Sequence, residues 1–232
     1  MVASGEIMVK ICGITSEADA LLAVGLGADA LGFVLAPSVR QMAPGAVADI
    51  VKRLPPSILT VGVFRDESPQ RVVDITNHIG LGAVQLHGHE PATQSRWIRQ
   101  RVARTIKAFA AGDPDIARFE EYGADHLLVD GASPGSGAVF DWRLAEGVVD
   151  PSRLIVAGGL DPTNVAQAVA HLRPYGVDVS TGVEASPGTK DPKLVGDFIV
   201  AARRAADQLV GPGTPGGDPD DAPPGPYDWM EG

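Results

Sequence analysis

Short apolar runs rich in β-branched residues recur eight times along this chain, and this repetition restricts its possible folds more than any other feature. The runs begin about 20–30 residues apart, which is the length of one strand followed by one helix. Because consecutive parallel strands need such a crossover, the pattern predicts eight parallel strands joined by helices. The predicted strands are Val9–Gly13, Ala30–Leu35, Leu59–Phe64, Ala83–Gly88, Thr105–Ala110, His126–Gly131, Leu154–Gly159 and Val177–Gly182.

Capping residues mark both ends of the predicted helices. An Asp or Ser before a proline places a hydrogen-bond acceptor ahead of the first helical position, and a glycine after a helix supplies the left-handed conformation that stops it. Helices are predicted to start at four residues followed by proline, which are Ser68, Asp113, Asp161 and Asp191, and also at Asp141 and at Ser16, whose spacing to Asp19 resembles a capping box. Helix ends are predicted at Gly27, Gly123 and Gly176. The helix that Asp141 opens is expected over Trp142–Val148.

Eight regular units favour a closed α/β barrel, the (β/α)8 TIM barrel, over its competitor, an open doubly wound sheet. No GxGxxG turn of the kind found in doubly wound folds follows a strand. We predict one barrel domain over residues 9–210, preceded by a leader at 1–8. Residues 211–232 hold six Gly, six Pro and five acidic residues without Lys or Arg, a composition that predicts a disordered tail.

The overall charge and the cysteine content narrow the possible functions. A formal net charge of −10 argues against a nucleic-acid partner, whereas a few backbone amides are enough to hold a small phosphorylated substrate. The single cysteine permits no internal disulfide, which is typical of a reducing compartment. No apolar stretch approaches the roughly 20 residues that span a bilayer, and the N-terminus lacks a signal-peptide pattern. We therefore expect a cytoplasmic protein without a membrane partner.

The first two strands lead into residues that can carry chemistry, since barrel active sites lie at the carboxyl ends of the strands. Cys12 ends the first strand, where a thiol is either a small buried residue or, as a thiolate, a base or nucleophile. Lys10 points to the same side of this strand. Arg40 follows the second strand in a loop, where its guanidinium either grips a carboxylate or stays in solvent.

The fourth and sixth strands add polar side chains to the same predicted mouth. Gln85 and His87 face one way, and His89 follows in the loop. Because no third ligand stands nearby, we predict no metal site and expect His87 to act as a hydrogen-bonding group. Asp130 ends an apolar strand, and a buried carboxylate there must be paired or catalytic.

The last two strands end in small residues of the kind that bind phosphate. Barrels place phosphates after these strands, where backbone N–H groups and a short helix N-terminus meet the anion. The predicted phosphate-binding residues are Gly158, Gly159, Ser180, Thr181 and Gly182.

Taken in order over residues 9–191, the strand-end motifs resemble those of the phosphoribosylanthranilate isomerase family. The resemblance covers all eight units and leaves out the leader and the tail. Two departures are visible, because Pro-Ser-Val-Arg stands where Ser-Pro-Arg is usual and Ser-Thr where Ser-Ser is common. The motifs are KICGIT, GFVLAPSVR, VGVF, QLHG, LLVDGASPGSG, FDW, AGGLDPTNV and VDVSTGVEASPGTKD.

The resemblance implies a (β/α)8 barrel that needs no cofactor and catalyses an Amadori rearrangement in tryptophan biosynthesis. Enzymes of this family convert N-(5-phosphoribosyl)anthranilate to 1-(2-carboxyphenylamino)-1-deoxyribulose 5-phosphate. In this chain it implies Cys12 as the base, Asp130 as the acid and Arg40 as the group that binds the anthranilate carboxylate. The expected substrate-binding set is Lys10, Arg40, Gln85, His87 and Asp178, and the resemblance allows either a monomer or a homodimer.

Two other functions stay open on the residues alone. A metal-dependent pentose-phosphate epimerase on the same fold needs several His and Asp ligands at strand ends, of which only His87 and Asp130 are well placed. A non-catalytic barrel that binds a phosphorylated ligand would not need both Cys12 and Asp130. Bound metal would indicate the first, and absence of turnover would indicate the second.

Overall fold

Eight parallel strands pair in chain order and close into a barrel through hydrogen bonds between the first and the last strand. The structure, a computed structural model, describes residues 7–131 and 150–210. This architecture confirms the predicted (β/α)8 barrel and excludes the open doubly wound sheet. The strands are β1 Met8–Cys12, β2 Ala30–Val34, β3 Leu59–Phe64, β4 Ala83–Leu86, β5 Thr105–Ala110, β6 His126–Asp130, β7 Leu154–Val156 and β8 Gly176–Val179.

Helices follow the strands and cover the outside of the barrel. The fifth is short and is preceded by a 3-10 turn at Pro114–Arg118, and the helix expected over Trp142–Val148 lies outside the described residues. Within the described ranges, no helix is long and apolar enough to cross a membrane. The α-helices are α1 Glu17–Gly25, α2 Pro44–Val51, α3 Pro69–Ile79, α4 Ala92–Arg99, α5 Phe119–Tyr122, α6 Val165–Leu172 and α7 Pro192–Val210.

Two capping predictions differ from the structure. Asp161 accepts the N–H of Thr163 in a turn, and α6 begins only at Val165, so the helix start was placed too early. Gly176 does not end a helix; Arg173 takes the left-handed conformation, with φ of 47°, and Gly176 is the first residue of β8. By contrast, the Ser16 hydroxyl accepts the N–H of Asp19, as predicted.

The alternation of side chains along the strands decides what faces the barrel interior. Met8 packs inside with Ala30, Val61 and Leu128, and residues two apart on one strand share a face. Lys10 and Cys12 therefore also face inward from β1. A second apolar layer, which includes Ile11 and Phe198, fills the space between barrel and helices. The interior face of β1 thus changes from apolar at Met8 to polar at Lys10 and Cys12, toward the carboxyl end of the strand.

The strand boundaries differ from the predicted ones at both ends of the barrel. β1 begins at Met8, one residue earlier than expected, and Ile7 is already buried, so the predicted leader at 1–8 overlaps the barrel. The Gly and Ser-Thr residues predicted at the ends of β7 and β8 lie beyond these strands, in loops. A 3-10 turn at Thr181–Val183 leads into a two-stranded hairpin that was not predicted, formed by β9 Glu184–Ser186 and β10 Thr189–Lys190.

Candidate active site

A cavity of about 390 Å³ opens at the carboxyl ends of the strands and collects most of the predicted site residues. Its lining comes from β1, β2, β3, β4, β6 and β8 and from the loops after β2, β3, β4, β7 and β8. Lys10 and Gly182 do not line it. The predicted residues that do are Cys12, Arg40, Gln85, His87, Asp130, Gly158, Gly159, Asp178, Ser180 and Thr181.

Cys12 sits above a buried ion pair. Lys10 Nζ lies 2.9 Å from Asp178 Oδ1, and β1 and β8 bring the two residues into register side by side. Burial tends to lower the pKa of Lys10, but the charges of Asp178 and Cys12 and their hydrogen bonds with Lys10 together outweigh it and raise that pKa to about 12. Burial raises the pKa of the Cys12 thiol, and the nearby Lys10 charge offsets this only in part. Cys12 therefore faces a permanent cation that favours its thiolate.

Gly32 makes room for this arrangement, and the sequence analysis did not single it out. It pairs with Cys12 across β1 and β2. A Cβ at this position would lie 2.7 Å from Cys12 Sγ and 2.9 Å from Lys10 Nζ. Any side chain there would push both groups out of place, so glycine is needed beside the thiol.

Asp130 lies across the mouth and takes part in a short polar chain. His87 Nε2 is 3.2 Å from Asp130 Oδ2, and Gln85 Nε2 is 2.8 Å from His87 Nδ1. An amide nitrogen donates, so Nδ1 accepts and the proton of the neutral ring lies on Nε2, toward Asp130. Gln85 thus orients His87, and His87 orients the carboxyl group of Asp130.

A second buried ion pair fixes the loop that carries His87. Lys107 Nζ lies 2.8 Å from Glu90 Oε2, and Glu90 accepts the backbone N–H groups of Asp66 and Gly88. Neither Lys107 nor Glu90 was predicted, since a polar residue inside an apolar strand gives no signal of its partner. His89 is exposed and lies 3.7 Å from Asp66, in the loop as expected.

Arg40 lines the cavity but is already bound to a carboxylate of the protein. Its Nε donates to Glu184 Oε1 at 2.7 Å and its Nη2 donates to Glu184 Oε2 at 2.6 Å. Lys190 Nζ also reaches Glu184 Oε1, at 3.0 Å. Glu184 and Lys190 were missed as site residues, although both lie in the VEASPGTKD motif.

The turns that were predicted to bind phosphate pack closely on their neighbours, which explains their glycines. Gly158 has φ of +82°, and a Cβ there would lie 2.0 Å from the N of Gly131 and 2.5 Å from Asp130 Oδ1. Gly182 lies behind the cavity lining, where a Cβ would be 1.9 Å from the carbonyl oxygen of Leu160. Gly159, Ser180 and Thr181 line the cavity beside Gly158.

Comparison with known proteins identifies the barrel. The family model for N-(5'-phosphoribosyl)anthranilate (PRA) isomerase matches residues 9–201. The chain belongs to the phosphoribosylanthranilate isomerase family. Membership assigns it the isomerase activity for which this family is named, which sets aside both the pentose-phosphate epimerase and the non-catalytic barrel. Among the residues that the structure describes, no three His, Cys, Asp or Glu side chains are grouped as metal ligands.

Three relatives show how closely this isomerase follows its family. The N-(5'-phosphoribosyl)anthranilate isomerase of Desulforudis audaxviator is 51% identical over 205 residues, covering 85% of this chain and 98% of the relative. A phosphoribosyl anthranilate isomerase solved with reduced 1-(o-carboxyphenylamino)-1-deoxyribulose 5-phosphate superposes with a TM-score of 0.76 at 40% identity, covering 85% and 99%. Monomers generated from the dimeric enzyme of Thermotoga maritima give a TM-score of 0.75 at 39% identity, with the same coverage.

Proposed function

We propose that this isomerase converts N-(5-phosphoribosyl)anthranilate to 1-(2-carboxyphenylamino)-1-deoxyribulose 5-phosphate by an Amadori rearrangement in tryptophan biosynthesis. One observation carries the proposal: a single cavity holds a thiol on β1 and a carboxyl group on β6, with an arginine and two glycine-rich turns around them. The relative solved with a reduced form of this product has the same barrel fold.

Asp130 acts first, as the general acid. It donates a proton to the ring oxygen of the ribose, the ring opens, and the nitrogen lone pair forms an iminium at C1′. His87 keeps the carboxyl group aimed at the sugar, and Gln85 keeps the His87 ring in the required orientation. These two residues therefore act on the substrate mainly through Asp130.

Cys12 acts second, as the general base. Its thiolate removes the proton from C2′ of the iminium, which yields an enolamine. Transfer of a proton to C1′ and loss of the enol proton at the C2′ oxygen then give the ketone, so that the overall reaction is an isomerisation. Lys10 stabilises the thiolate and Asp178 holds Lys10, which gives both residues a role beneath the substrate.

The two anionic ends of the substrate bind at different parts of the mouth. Arg40 binds the anthranilate carboxylate, and the backbone N–H groups around Gly159, Ser180 and Thr181 bind the phosphate. Gly158 and Gly182 shape these turns by close packing. Because every step is a proton transfer between the substrate and protein side chains, no cofactor is required.

The cellular setting follows from sequence and family. We propose a cytoplasmic enzyme, with one cysteine and an acidic surface, that works as a monomer or a homodimer. The enzyme of Thermotoga maritima is described as dimeric. Light scattering on the purified chain distinguishes the two states.

A fluorescence assay tests the reaction. Purified protein should consume phosphoribosylanthranilate, with loss of its fluorescence, and Cys12→Ala protein prepared in the same way should not. Loss of signal at the same rate with both proteins would assign the turnover to a contaminant. No loss with well-folded wild-type protein would refute the proposed substrate.

A further inference from the structure

Glu184 lies at the centre of a buried charge cluster behind the carboxylate-binding arginine. Its side chain is 5% exposed, and its two oxygens meet both Nε and Nη2 of Arg40. Lys190, whose side chain is fully buried, reaches the same carboxylate from β10. Arg40 lines the cavity and Glu184 does not, so the carboxylate holds the guanidinium from behind.

The cluster also connects the three loops that the substrate would contact. The Arg40 side chain lies over Gly13, next to Cys12, where a Cβ would be 2.5 Å from Arg40 Cδ. Lys190 Nζ donates to the carbonyl oxygen of Ser180 at 3.1 Å, in the phosphate-binding turn. A shift of Glu184 would therefore move the arginine that faces the substrate relative to the phosphate site.

The charges of the cluster explain why a third group is present. An arginine paired only with a glutamate is neutral and attracts a carboxylate weakly, whereas Lys190 leaves the three side chains with one net positive charge. Burial raises the pKa of Glu184, but the hydrogen bonds from Arg40 and Lys190 outweigh it, so this pKa lies below its usual value. Glu184 is thus ionised and Arg40 stays oriented while the cluster remains cationic.

We propose that Glu184 is a positioning residue that sets Arg40 for the anthranilate carboxylate, with Lys190 as its counter-cation. The proposal rests on the proposed function, because it requires Arg40 to bind that carboxylate. In the reaction, Glu184 touches no reacting atom and acts entirely through the guanidinium.

Inhibition by two product analogues tests this role in the full chain. One is reduced 1-(o-carboxyphenylamino)-1-deoxyribulose 5-phosphate, and the other is its phenylamino counterpart without the carboxylate. The ratio of their inhibition constants measures how strongly the enzyme recognises the carboxylate. Arg40→Ala should bring this ratio close to one, and Glu184→Gln should reduce it about tenfold, as expected for loss of a charge-assisted bidentate contact.

The kinetic constants of the same variants give a second readout. Glu184→Gln should raise KM about tenfold and change kcat little, because the carboxylate is bound in both the ground state and the transition state. In an Arg40→Ala background, Glu184→Gln should cause no further loss, since both changes remove one interaction. A residue that only stabilised the fold would weaken both analogues alike.

Matched variants keep the test decisive. Glu121→Gln is the control, because Glu121 also binds an arginine, Arg118, through both oxygens, but on the surface of α5. If Glu184→Gln does not fold, Glu184→Asp retains the charge, shortens the reach, and should still lower the ratio.

The outcomes separate the two proposals. An unchanged ratio in folded Glu184→Gln or Glu184→Asp protein, together with a collapsed ratio in Arg40→Ala, would overturn the role of Glu184 alone. An unchanged ratio in Arg40→Ala would overturn the carboxylate-binding role of Arg40 and the role of Glu184 with it.

Discussion

The protonation state of single residues in this site depends on the charges of their buried neighbours, because an unpaired charge in the barrel interior is costly. Lys10, Cys12 and Asp178 share one inward-facing region, and the lysine is shared between a carboxylate and a thiol. A buried cation without a partner is costly, so the Asp178 charge keeps Lys10 protonated where Cys12 needs it. The reactivity of Cys12 is therefore a property of three residues on two adjacent strands.

The titration of Cys12 should show this dependence directly. Because burial raises the thiol pKa, the thiolate fraction, and with it the rate of alkylation by iodoacetamide, should rise at higher pH than for an ordinary thiol. Lys10→Met removes the favourable cation and should move the midpoint higher still. Mass spectrometry measures the alkylated fraction of Cys12 alone, because it is the single cysteine, and Cys12→Ala protein serves as the unlabelled control. A midpoint at or below that of an ordinary thiol would contradict the raised pKa of Cys12.

Replacement of Asp130, the proposed acid, should reduce catalysis and leave binding intact. Asp130→Asn cannot deliver a proton, so kcat should fall by about 10²-fold or more, while Cys12→Ala should lose a similar factor. Binding of the reduced product should persist in Asp130→Asn, because Arg40 and the phosphate turns are unchanged. Steady-state kinetics and a binding titration measure the two effects. If most of the turnover remained, the acid would be another residue.

The sequence identified most of these residues because strand alternation and strand ends are local features. Cys12, Gln85, His87 and Asp130 were found in this way, and all line the cavity. Glu184 was missed because its role depends on Arg40, 144 residues earlier, which no local periodicity indicates. Lys10 was predicted to bind the substrate, but it is fully buried and lines no part of the cavity. The sequence could not show this, because residues on the same face of a strand lie at different depths.

At the scale of helices and strands, glycines allow neighbouring segments of the backbone to pack closely against each other. Its place in the sequence predicts a helix end at Gly176, but a Cβ there would lie 2.6 Å from Met8 Cε and 2.9 Å from the Met8 carbonyl oxygen. The residue therefore permits close approach of β8 to β1, where the barrel closes. The sequence shows that a glycine is present but does not distinguish a left-handed turn from a close contact.

The turn at Gly182, which is proposed to bind phosphate, offers a test of such a contact. A Cβ at Gly182 would meet the backbone oxygen of Leu160, so Gly182→Ala should displace the turn and cost about 1–3 kcal/mol of stability. Competitive inhibition by inorganic phosphate should weaken as well. Gly45→Ala is the matched control, because nothing lies within 4 Å of a Cβ at Gly45 in α2, and alanine should be neutral or stabilising there. Equal melting temperatures and phosphate inhibition in both variants would refute the close-packing role.

At the scale of the whole molecule, the number of units was enough to predict closure. Seven crossovers join the eight parallel strands in chain order and bring the last strand beside the first, so that β1 pairs with both β2 and β8. The pairing register was not predictable, because it depends on contacts between distant segments. The β9–β10 hairpin is local, but its strands of three and two residues are too short to give a periodic pattern. The hairpin supplies Glu184 and Lys190, the two residues that we propose to set the position of Arg40.

The segment after α7 provides the last test, which concerns the limits of the domain. The family match ends at residue 201, and the Desulforudis audaxviator relative aligns over 98% of its own length with 85% of this chain. Residues 211–232 lie outside the described ranges, and their Gly, Pro and acidic composition offers little apolar surface.

Deletion of residues 211–232 should therefore leave kcat, KM and the melting temperature nearly unchanged. Deletion from residue 203 onward is the contrasting variant, because it removes Arg203, which binds Asp29 and the carbonyl oxygen of Gly27, together with buried Ala205 and Ala206. That variant should melt several degrees lower, as about 1 kcal/mol shifts Tm by roughly 2–4 °C in a chain of this size. A comparable loss in the shorter deletion would show that the tail, through Tyr227, Trp229 and Met230, belongs to the folded domain.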